Sequence, residues 1–528
     1  MQNSLENSIS SLNQTASLLL AAAVIDLFPD VLIVGGEGTL KYFYQDFIFP
    51  FEFTSEILPI IEERMRLIIR EKRSVRTFEM VPSNAAALMQ HHQQKMLAHQ
   101  LMQIQQATVQ MAQVGNNVIG FCPYPPLKTL SIPFFKILES YSLESSETKT
   151  LRIIGAASFD KEILKEISKQ PAISSLSHLK IASESNLLKP MKEEGMWYWC
   201  PRGEWIREQL IQWWRRECVK KNFNLISSPI SFLGEGREKN ILHSHREYYL
   251  KFGTAKISEI RWIRNGDFIS LNFGLFSPKV FFADRMHVFC SNDEKLLEEC
   301  ISSLPFILKI PKILGFEFEI VLSVSSKGVQ KTKAKGAAIF QQALEKAGFD
   351  YIIEKEYRVG VLASIDIRLS DSLGRRWTGP FLSMPDVAMS ERQGSVLTIS
   401  AFGSLERICA LLLEKTGGWL PLWLAPEQVR ILVANDKIGS YAIEVYKTLN
   451  AQGIRVSVEN GEEALKTRLY RAIVERVPYV LLLGEREKKE KFLSIRAYGE
   501  RKEQILSLDE LCMRLKKEME SGNSELKN

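Results

Sequence analysis

The chain is poor in the residues that build metal and redox sites. Of its 528 residues, seven are histidine and seven are cysteine. The cysteines (Cys122, Cys200, Cys218, Cys290, Cys300, Cys409, Cys512) are odd in number, scattered, and never spaced C-x-x-C. That excludes a disulfide scaffold and paired thiolate ligands, and fits reduced thiols in a cytosol. Long uncharged apolar runs are missing too. The stretch Leu18–Ile25 stops at Asp26, short of the ~20 residues that span a bilayer, and the opening MQNSLENSIS carries no basic residue for a secretory leader. A soluble cytoplasmic protein with no membrane partner is expected. Short chemical signatures are equally absent: there is no G-x-x-x-x-G-K-[ST], H-E-x-x-H or G-x-S-x-G, and Gly36-Glu37-Gly38 is too short for a dinucleotide loop.

What is there is the mix of an ordinary globular protein: 45% hydrophobic, 25% charged and 10% aromatic residues. At roughly 150 residues per domain the length allows about three or four domains. The formal charge of +6 tolerates a polyanionic partner without requiring one.

Hydrophobic periodicity predicts a helix over Glu56–Lys72 and a Gln-, His- and Met-rich helix over Ala85–Gln113. His91, His92 and His99 fall in the second, where solvent-facing histidines are a better reading than a metal site: no acid or cysteine lies near, and neighbours on a helix point apart. Strand patterns over Leu127–Ile132 and Leu151–Ile154 lead to a Ser-rich boundary. Trp205–Glu217 reads as a helix with Ile206, Leu210 and Trp213 on one face. Alternating patterns follow at Phe268–Phe273, Val280–Cys290, Phe316–Ser323, Ser364–Leu369 and Val396–Ala401, with helices at Glu294–Leu304, Ala337–Ala347 and Ser404–Thr416. The last ~105 residues alternate strand and helix, the pattern of a three-layer α/β module. Lys327–Lys335 is the densest basic run; a solvated loop or helix start is the first reading, a polyphosphate or RNA contact the second.

Three segments then carry a resemblance. GMWYWCPRGEWIREQLIQWWRRE, GSLERICALLLEKTGGWLPLWLAPEQVRILV and ERVPYVLLLGERE, in this order and spacing, resemble bacterial threonyl-tRNA synthetase over nearly the whole chain, without its small N-terminal ubiquitin-like domain. The resemblance implies an α+β and α/β multidomain protein. Residues 1–175 would be an editing-type domain, 176–190 a linker, 191–420 a class II catalytic domain on an antiparallel sheet, and 421–528 an anticodon-binding domain. It also implies a dimer formed near Trp205–Glu217 and Pro229.

The departures from the family's pattern matter most. The editing motif His-x-x-x-His reads Asn13 and Ser17 here, and the loop Cys-x-x-x-His keeps only Cys122, which reads as a buried thiol. Of three zinc ligands, His287 is the only surviving position. The segment bearing the cysteine is deleted and the second histidine falls at about Thr398, so zinc is expected to be absent. The acid two residues before His287 has become Arg285. For ATP, with Mg, the motif 3 arginine is retained as Arg407. The motif 2 arginine falls at Ile257 by direct count from Phe252-Gly253, or at Arg264 if one insertion is allowed. The second alignment is preferred because Gly274-Leu275-Phe276 then falls where Gly-Leu-Met belongs. It puts Gly266 at the adenine-contacting Glu and Lys279 near a second arginine. The family's Tyr-Gly-Pro-Lys-Ile-Asp reads Val361–Asp366, its lysine lost. Catalytic residues, if any, are therefore Arg264 and Arg407, and the ATP-binding set is Arg264, Lys279 and Arg407. The C-terminal domain keeps its pattern: Glu487 and Arg496 occupy anticodon-reading positions, with Lys488 and Lys489 able to meet phosphates, helped by Arg486, Lys491, Arg501 and Lys502. The expected protein binds tRNA and activates threonine weakly or not at all. It forms a homodimer or pairs with a full-length synthetase. The alternatives are an active or retooled class II ligase and, more weakly, a protein-interaction platform.

Overall fold

The structure, a computed structural model, describes residues 2–104, 107–122, 125–127, 129–143, 149–170, 172–191, 195–227, 256–264, 273–325, 330–356, 360–385, 395–500 and 502–527. Pro229, Phe252-Gly253, the expected strand 268–272, Gly266, Lys327 and Arg501 lie outside them.

The first domain is built on α1 (Gln2–Leu27), whose Leu12, Leu18, Leu19, Leu20 and Val24 are fully buried or nearly so. Helix residues Ser8–Leu27 are long and apolar enough to cross a membrane by length and composition, longer than the Leu18–Ile25 run suggests. Here that surface is 72% buried within the domain. At about 1.5–3 kcal/mol per buried aliphatic side chain, this helix is the domain's main source of core. It packs on an antiparallel sheet ordered β1 (Leu32–Gly38), β2 (Phe43–Ile48), β7 (Thr150–Ser158), β6 (Phe134–Leu143). A second sheet joins β3 (Val75–Met80), β4 (Val109–Val114) and β5 (Asn117–Phe121). Helix α2 spans Leu58–Arg70. The Gln-rich stretch is two short helices, α3 (Pro82–His91) and α4 (Lys95–Met102), followed by β4, rather than one long helix. A turn centred on Gln93, with φ +60°, breaks it, and His91, His92 and His99 are exposed. The strand expected over Leu127–Ile132 instead runs over β6. Helix α5 (Lys161–Ile167) covers the sheet edge.

Residues 176–190, expected between domains, fold onto the central one. Helix α6 (His178–Glu184) and strand β8 (Leu188–Pro190), paired with β9 (Trp197–Trp199), place Leu179, Ile181, Ala182, Leu187 and Leu188 in its core. The central sheet has eight strands: β10 (Asn224–Leu225), β11 (Lys256–Arg264), β12 (Val280–Cys290), β17 (Ser395–Ser400), β16 (Arg376–Pro385), β15 (Val361–Ser370), β13 (Phe318–Ser325) and β14 (Ile352–Glu356), in that order. Its interior is antiparallel; only the outermost pairs, β10 with β11 and β13 with β14, run parallel. The helices of this domain are α7 (Pro201–Lys220), α8 (Asp293–Ile307), α9 (Lys309–Ile313), α10 (Gln330–Ala347) and α11 (Leu405–Thr416). Trp213 and Trp214 of α7 are almost wholly buried, Trp213 stacked on Phe306. Helix α11 starts where Ser404 accepts from Arg407 N and stops at Gly417, whose φ of +61° suits glycine.

The last domain has a five-stranded sheet ordered β19 (Val456–Glu459), β18 (Val429–Val433), β20 (Tyr479–Leu483), β21 (Leu493–Ala497), β22 (Gln504–Leu506). Helices α12 (Gly439–Ala451) and α15 (Leu508–Lys527) belong to one apolar layer, and α13 (Leu465–Val474) to the other. The short α14 (Glu485–Glu490) connects β20 to β21.

Candidate functional site

In the first domain every polar side chain at the editing-type position has turned inward and found a structural partner. Asn13 donates to the Thr39 carbonyl (3.0 Å) and accepts from Ala157 N (3.1 Å). Ser17 donates to the Tyr44 carbonyl (2.9 Å) and accepts from Gln45 (3.0 Å). Gln14 accepts from Gly38 N (2.9 Å) and points its amide at the Cys122 sulfur, 3.5 Å away. Asn13, Gln14 and Ser17 are fully buried and Cys122 is 2% exposed. Two glycines permit the closeness: a Cβ on Gly38 would sit 1.8 Å from Gln14 N, and one on Gly36 would meet Gln45 at 2.1 Å. Helix and sheet pack directly against each other at these positions.

A buried ionic ladder adjoins it. Asp46 takes two hydrogen bonds from Arg152 (2.7 and 2.8 Å), whose guanidinium lies 4.2 Å from the Tyr44 ring centroid. Tyr44 donates to Glu37 at 3.3 Å. Burial raises the Glu37 carboxyl to about 7 despite Arg375 nearby. Arg375, held by Asp371 (2.6 Å), faces Tyr44 on one side and Phe273, Phe276 and Trp377 on the other. Thr39 also donates to the Leu373 carbonyl (2.5 Å), so the first domain is riveted to the loop before β16.

On the central sheet, strand register aligns one row of side chains: Ile257 opposite His287, His287 opposite Thr398, Thr398 opposite Ser383, Ser383 opposite Ser364, and Ser364 opposite Ser323. His287 Nδ1 lies 3.0 Å from the Thr398 hydroxyl, and both are buried. Ser323 and Ser364 donate to Asp366. One imidazole among hydroxyls and an isoleucine does not make a zinc site, and no three His, Cys, Asp or Glu side chains converge among the described residues. Arg285 stands across from Glu259, its guanidinium 5.1 Å from the Phe381 ring, on the cross-strand row beside His287. Asp284 faces away and accepts from Ser400, Ala401 N and Phe402 N, fixing the turn before α11; burial raises its pKa nevertheless.

The residues assigned to ATP gather at the other end of the β11–β12 hairpin. Arg264 is exposed at the end of β11, opposite Val280, next to Lys279. Arg407 makes no salt bridge with Glu406 or Glu414 of its own helix. It donates to the carbonyls of Phe276 (2.9 Å) and Thr378 (2.5 Å) and lies 5.5 Å from the Trp377 ring. Glu406 is turned inward, accepting from Phe282 N and Trp199, and burial lifts its pKa to about 7. Glu414 pairs with His178 (2.7 Å) and Ser372. Seven residues separate Arg264 from Ile257, or ~23 Å at about 3.3 Å per strand residue. Arg264 therefore cannot share an amino-acid-sized site with His287. The direct count, by contrast, puts Ile257, Ser258 and Glu259 at the family's Arg-Asn-Glu, with Ile257 facing His287. That count also places the buried Glu259 at the position of the family's Glu, where the insertion-based alignment has Gly266.

In the last domain the polar groups stay outward. Glu487 accepts from Gly484 N (2.9 Å) and from the Ser494 hydroxyl (2.9 Å), which ties α14 to β21. Alternation along β21 sends Leu493, Ile495 and Ala497 to the core and leaves Ser494 and Arg496 on the opposite side, where Arg496 is exposed, 3.6 Å from Glu503. Lys488 donates to the Lys437 carbonyl (2.6 Å), and Lys489 is exposed. Helix α13 packs on this side of the sheet over β18 and β20.

The anticodon binding domain family matches residues 428–518. Over 97% of its length the chain is 27% identical to the threonine–tRNA ligase of Clostridium novyi, covering 88% of that protein. It is 25% identical, with the same two coverages, to the threonine–tRNA ligase of Clostridium tetani. Among solved structures, the RNA-binding domain of threonyl-tRNA synthetase from Cryptosporidium parvum superposes with a TM-score of 0.57 at 23% identity, covering 65% of this chain and 98% of that one. The prolyl-tRNA synthetase of the same organism gives 0.53 at 13% identity, covering 68% and 78%. The chain is thus similar over nearly its whole length to threonine–tRNA ligases, shares the fold of the solved threonyl- and prolyl-tRNA synthetase structures, and carries an anticodon binding domain at its C-terminal end.

Proposed function

We propose that this protein binds tRNA through its C-terminal domain and activates threonine weakly or not at all. The observation that carries the reading is the contrast at matched positions: Arg496 on β21 and Lys489 on α14 are exposed, while Asn13, Ser17, His287 and Thr398 are buried and hydrogen-bonded within the protein. By the direct count the motif 2 arginine falls at Ile257, and losing one preorganised donor costs about 10²–10³ in rate. The test has two arms. Binding of a threonine tRNA transcript at low salt is expected, and amino-acid-dependent ATP–pyrophosphate exchange is expected to be silent across all twenty amino acids, with or without added zinc. Exchange with threonine would overturn the weak-activation half, and no binding at low salt would overturn the tRNA half.

A second reading, an active or retooled class II ligase using ATP with Mg, draws on Arg264, Lys279 and Arg407 lying at one end of the hairpin, where their cations would hold phosphate oxygens. Arg407→Ala should abolish any exchange wild type shows. We further infer a cytoplasmic homodimer, or a heterodimer with a full-length synthetase, formed along the edge where Val219 (62% exposed) and Leu225 (49%) stand open.

A further inference from the structure

Arg496 has an aromatic neighbour that the anticodon pattern did not single out. Tyr498 lies two residues on, and its N–H bonds to the Pro478 carbonyl (2.9 Å), which prolongs the β20–β21 ladder by one step. Strand alternation therefore puts Ser494, Arg496 and Tyr498 on one side, about 6.6 Å apart per pair. The Tyr498 ring is stacked on Trp419, centroids 3.8 Å apart and planes 11° from parallel, yet Tyr498 remains 57% exposed. Trp419 belongs to the connector after α11 and is itself backed by Arg476, 5.8 Å from its centroid. Arg476 is fixed by the Gly417, Ile473 and Val474 carbonyls and stands 3.5 Å from Glu184. The result is a layered support of guanidinium, indole and phenol at the seam of two domains.

A large flat side chain left this open beside a cation is what single-stranded RNA uses: bases stack on the ring while phosphates meet the guanidinium. The support below Tyr498 holds its ring in place before any ligand arrives, so little side-chain entropy is lost on stacking. Two acids temper the surface, Glu503 beside Arg496 and Glu487 bonded to Ser494. Glu503 immediately precedes β22 and Glu487 belongs to α14.

We propose that Tyr498 is a stacking platform for one unpaired base of the tRNA bound through Arg496, with Trp419 and Arg476 as its support. This deepens the tRNA-binding reading and rests on it. The test uses the full-length protein and an anticodon stem-loop hairpin carrying 2-aminopurine at successive loop positions, compared with the full threonine tRNA transcript. Wild type should quench one loop position and perturb Trp419 emission. Tyr498→Ala should lose that quenching and about 5–150-fold in affinity, given ~1–3 kcal/mol per stacked base, with the salt slope unchanged because no charge is removed. Tyr498→Phe should restore both signals. Arg496→Ala should lower the salt slope by about one and keep residual quenching. If wild type binds both RNAs and Tyr498→Ala binds as tightly, with quenching intact, the platform is overturned while tRNA binding stands. If wild type ignores both RNAs at low salt, the tRNA reading fails and the platform with it.

Discussion

The first and last domains treat their inherited polar positions in opposite ways. In the first, Asn13, Gln14 and Ser17 each satisfy backbone groups of the facing sheet, and none is accessible. In the last, Arg496 and Lys489 are exposed, and the backbone of Arg496 is satisfied by the β20–β21 ladder. The difference teaches how a site is lost without losing a fold. A pocket's polar groups, once no ligand is bound, cost free energy unless something else bonds them. Where the resemblance expects histidines, the first domain carries short side chains that reach main-chain partners. The last has had no such replacement, because a solvated cation on a sheet face costs nothing to keep.

The sharpest way to break the comparison is to attack the first domain's interior. Arg152→Ala leaves Asp46 buried and unpaired and should cost about 3–5 kcal/mol. A denaturant midpoint unchanged from wild type would mean the ladder is not structural. Restoring the family's histidines comes next. Asn13→His with Ser17→His should not create ester hydrolysis of aminoacyl-tRNA; it should lower the melting temperature, since each lost buried partner costs about 1–3 kcal/mol. Hydrolysis above wild type, measured on a charged tRNA, would show that the pocket reopens. Opposite in kind, Arg496→Ala in the last domain should leave the unfolding free energy within about 0.5 kcal/mol of wild type, as exposed substitutions do, while weakening tRNA binding.

These contrasts were partly legible beforehand. β18 and β20 are short runs of apolar residues, VRILV and YVLLL, almost wholly buried, and β12 spans the eleven residues Val280–Cys290 expected for it. β16 was invisible: Gly379 and Pro380 interrupt it, and proline argues against a central strand. The structure absorbs them in a register shift between Asp366 and Arg368 on the neighbouring strand, where the Gly379 carbonyl comes within 2.3 Å of a Cβ built on Gly403. β11 was missed because both its faces mix charge with apolar residues, Glu259 and Arg261 being buried beside Ile257. In the candidate sites, motif positions identified which residues to inspect, but not their fate. That Arg407 bonds to carbonyls instead of Glu406, or that Trp419 supports Tyr498 from 79 residues away, depends on long-range packing that no local pattern encodes.

The finest discrimination between the domains is by pH. Glu37 is held in the first domain's ladder with its carboxyl raised to about 7, by burial foremost and by Asp371, while Arg375 and the Tyr44 hydroxyl pull the other way. In the unfolded chain the same group titrates near 4.5. As pH rises between these values the unfolded chain releases its proton and the folded chain keeps it, so the native state loses stability across that window. Glu37→Gln removes the proton exchange while keeping the shape. It should match wild type near pH 4.5 and exceed it in melting temperature at pH 8. Glu427 in the last domain provides the counterpart: burial pushes its carboxyl up, but hydrogen bonds from Arg430 and Ser457 and the charge of Arg202 bring it below its ordinary value. Its ionised form is the stabilised one at neutral pH. Glu427→Gln should therefore lose stability at pH 8, opposite in sign to Glu37→Gln. If Glu37→Gln were also destabilised there, the ionised Glu37 would be a working partner of Arg375, and the first domain's ladder would be an ion network in the same sense as the one around Arg430.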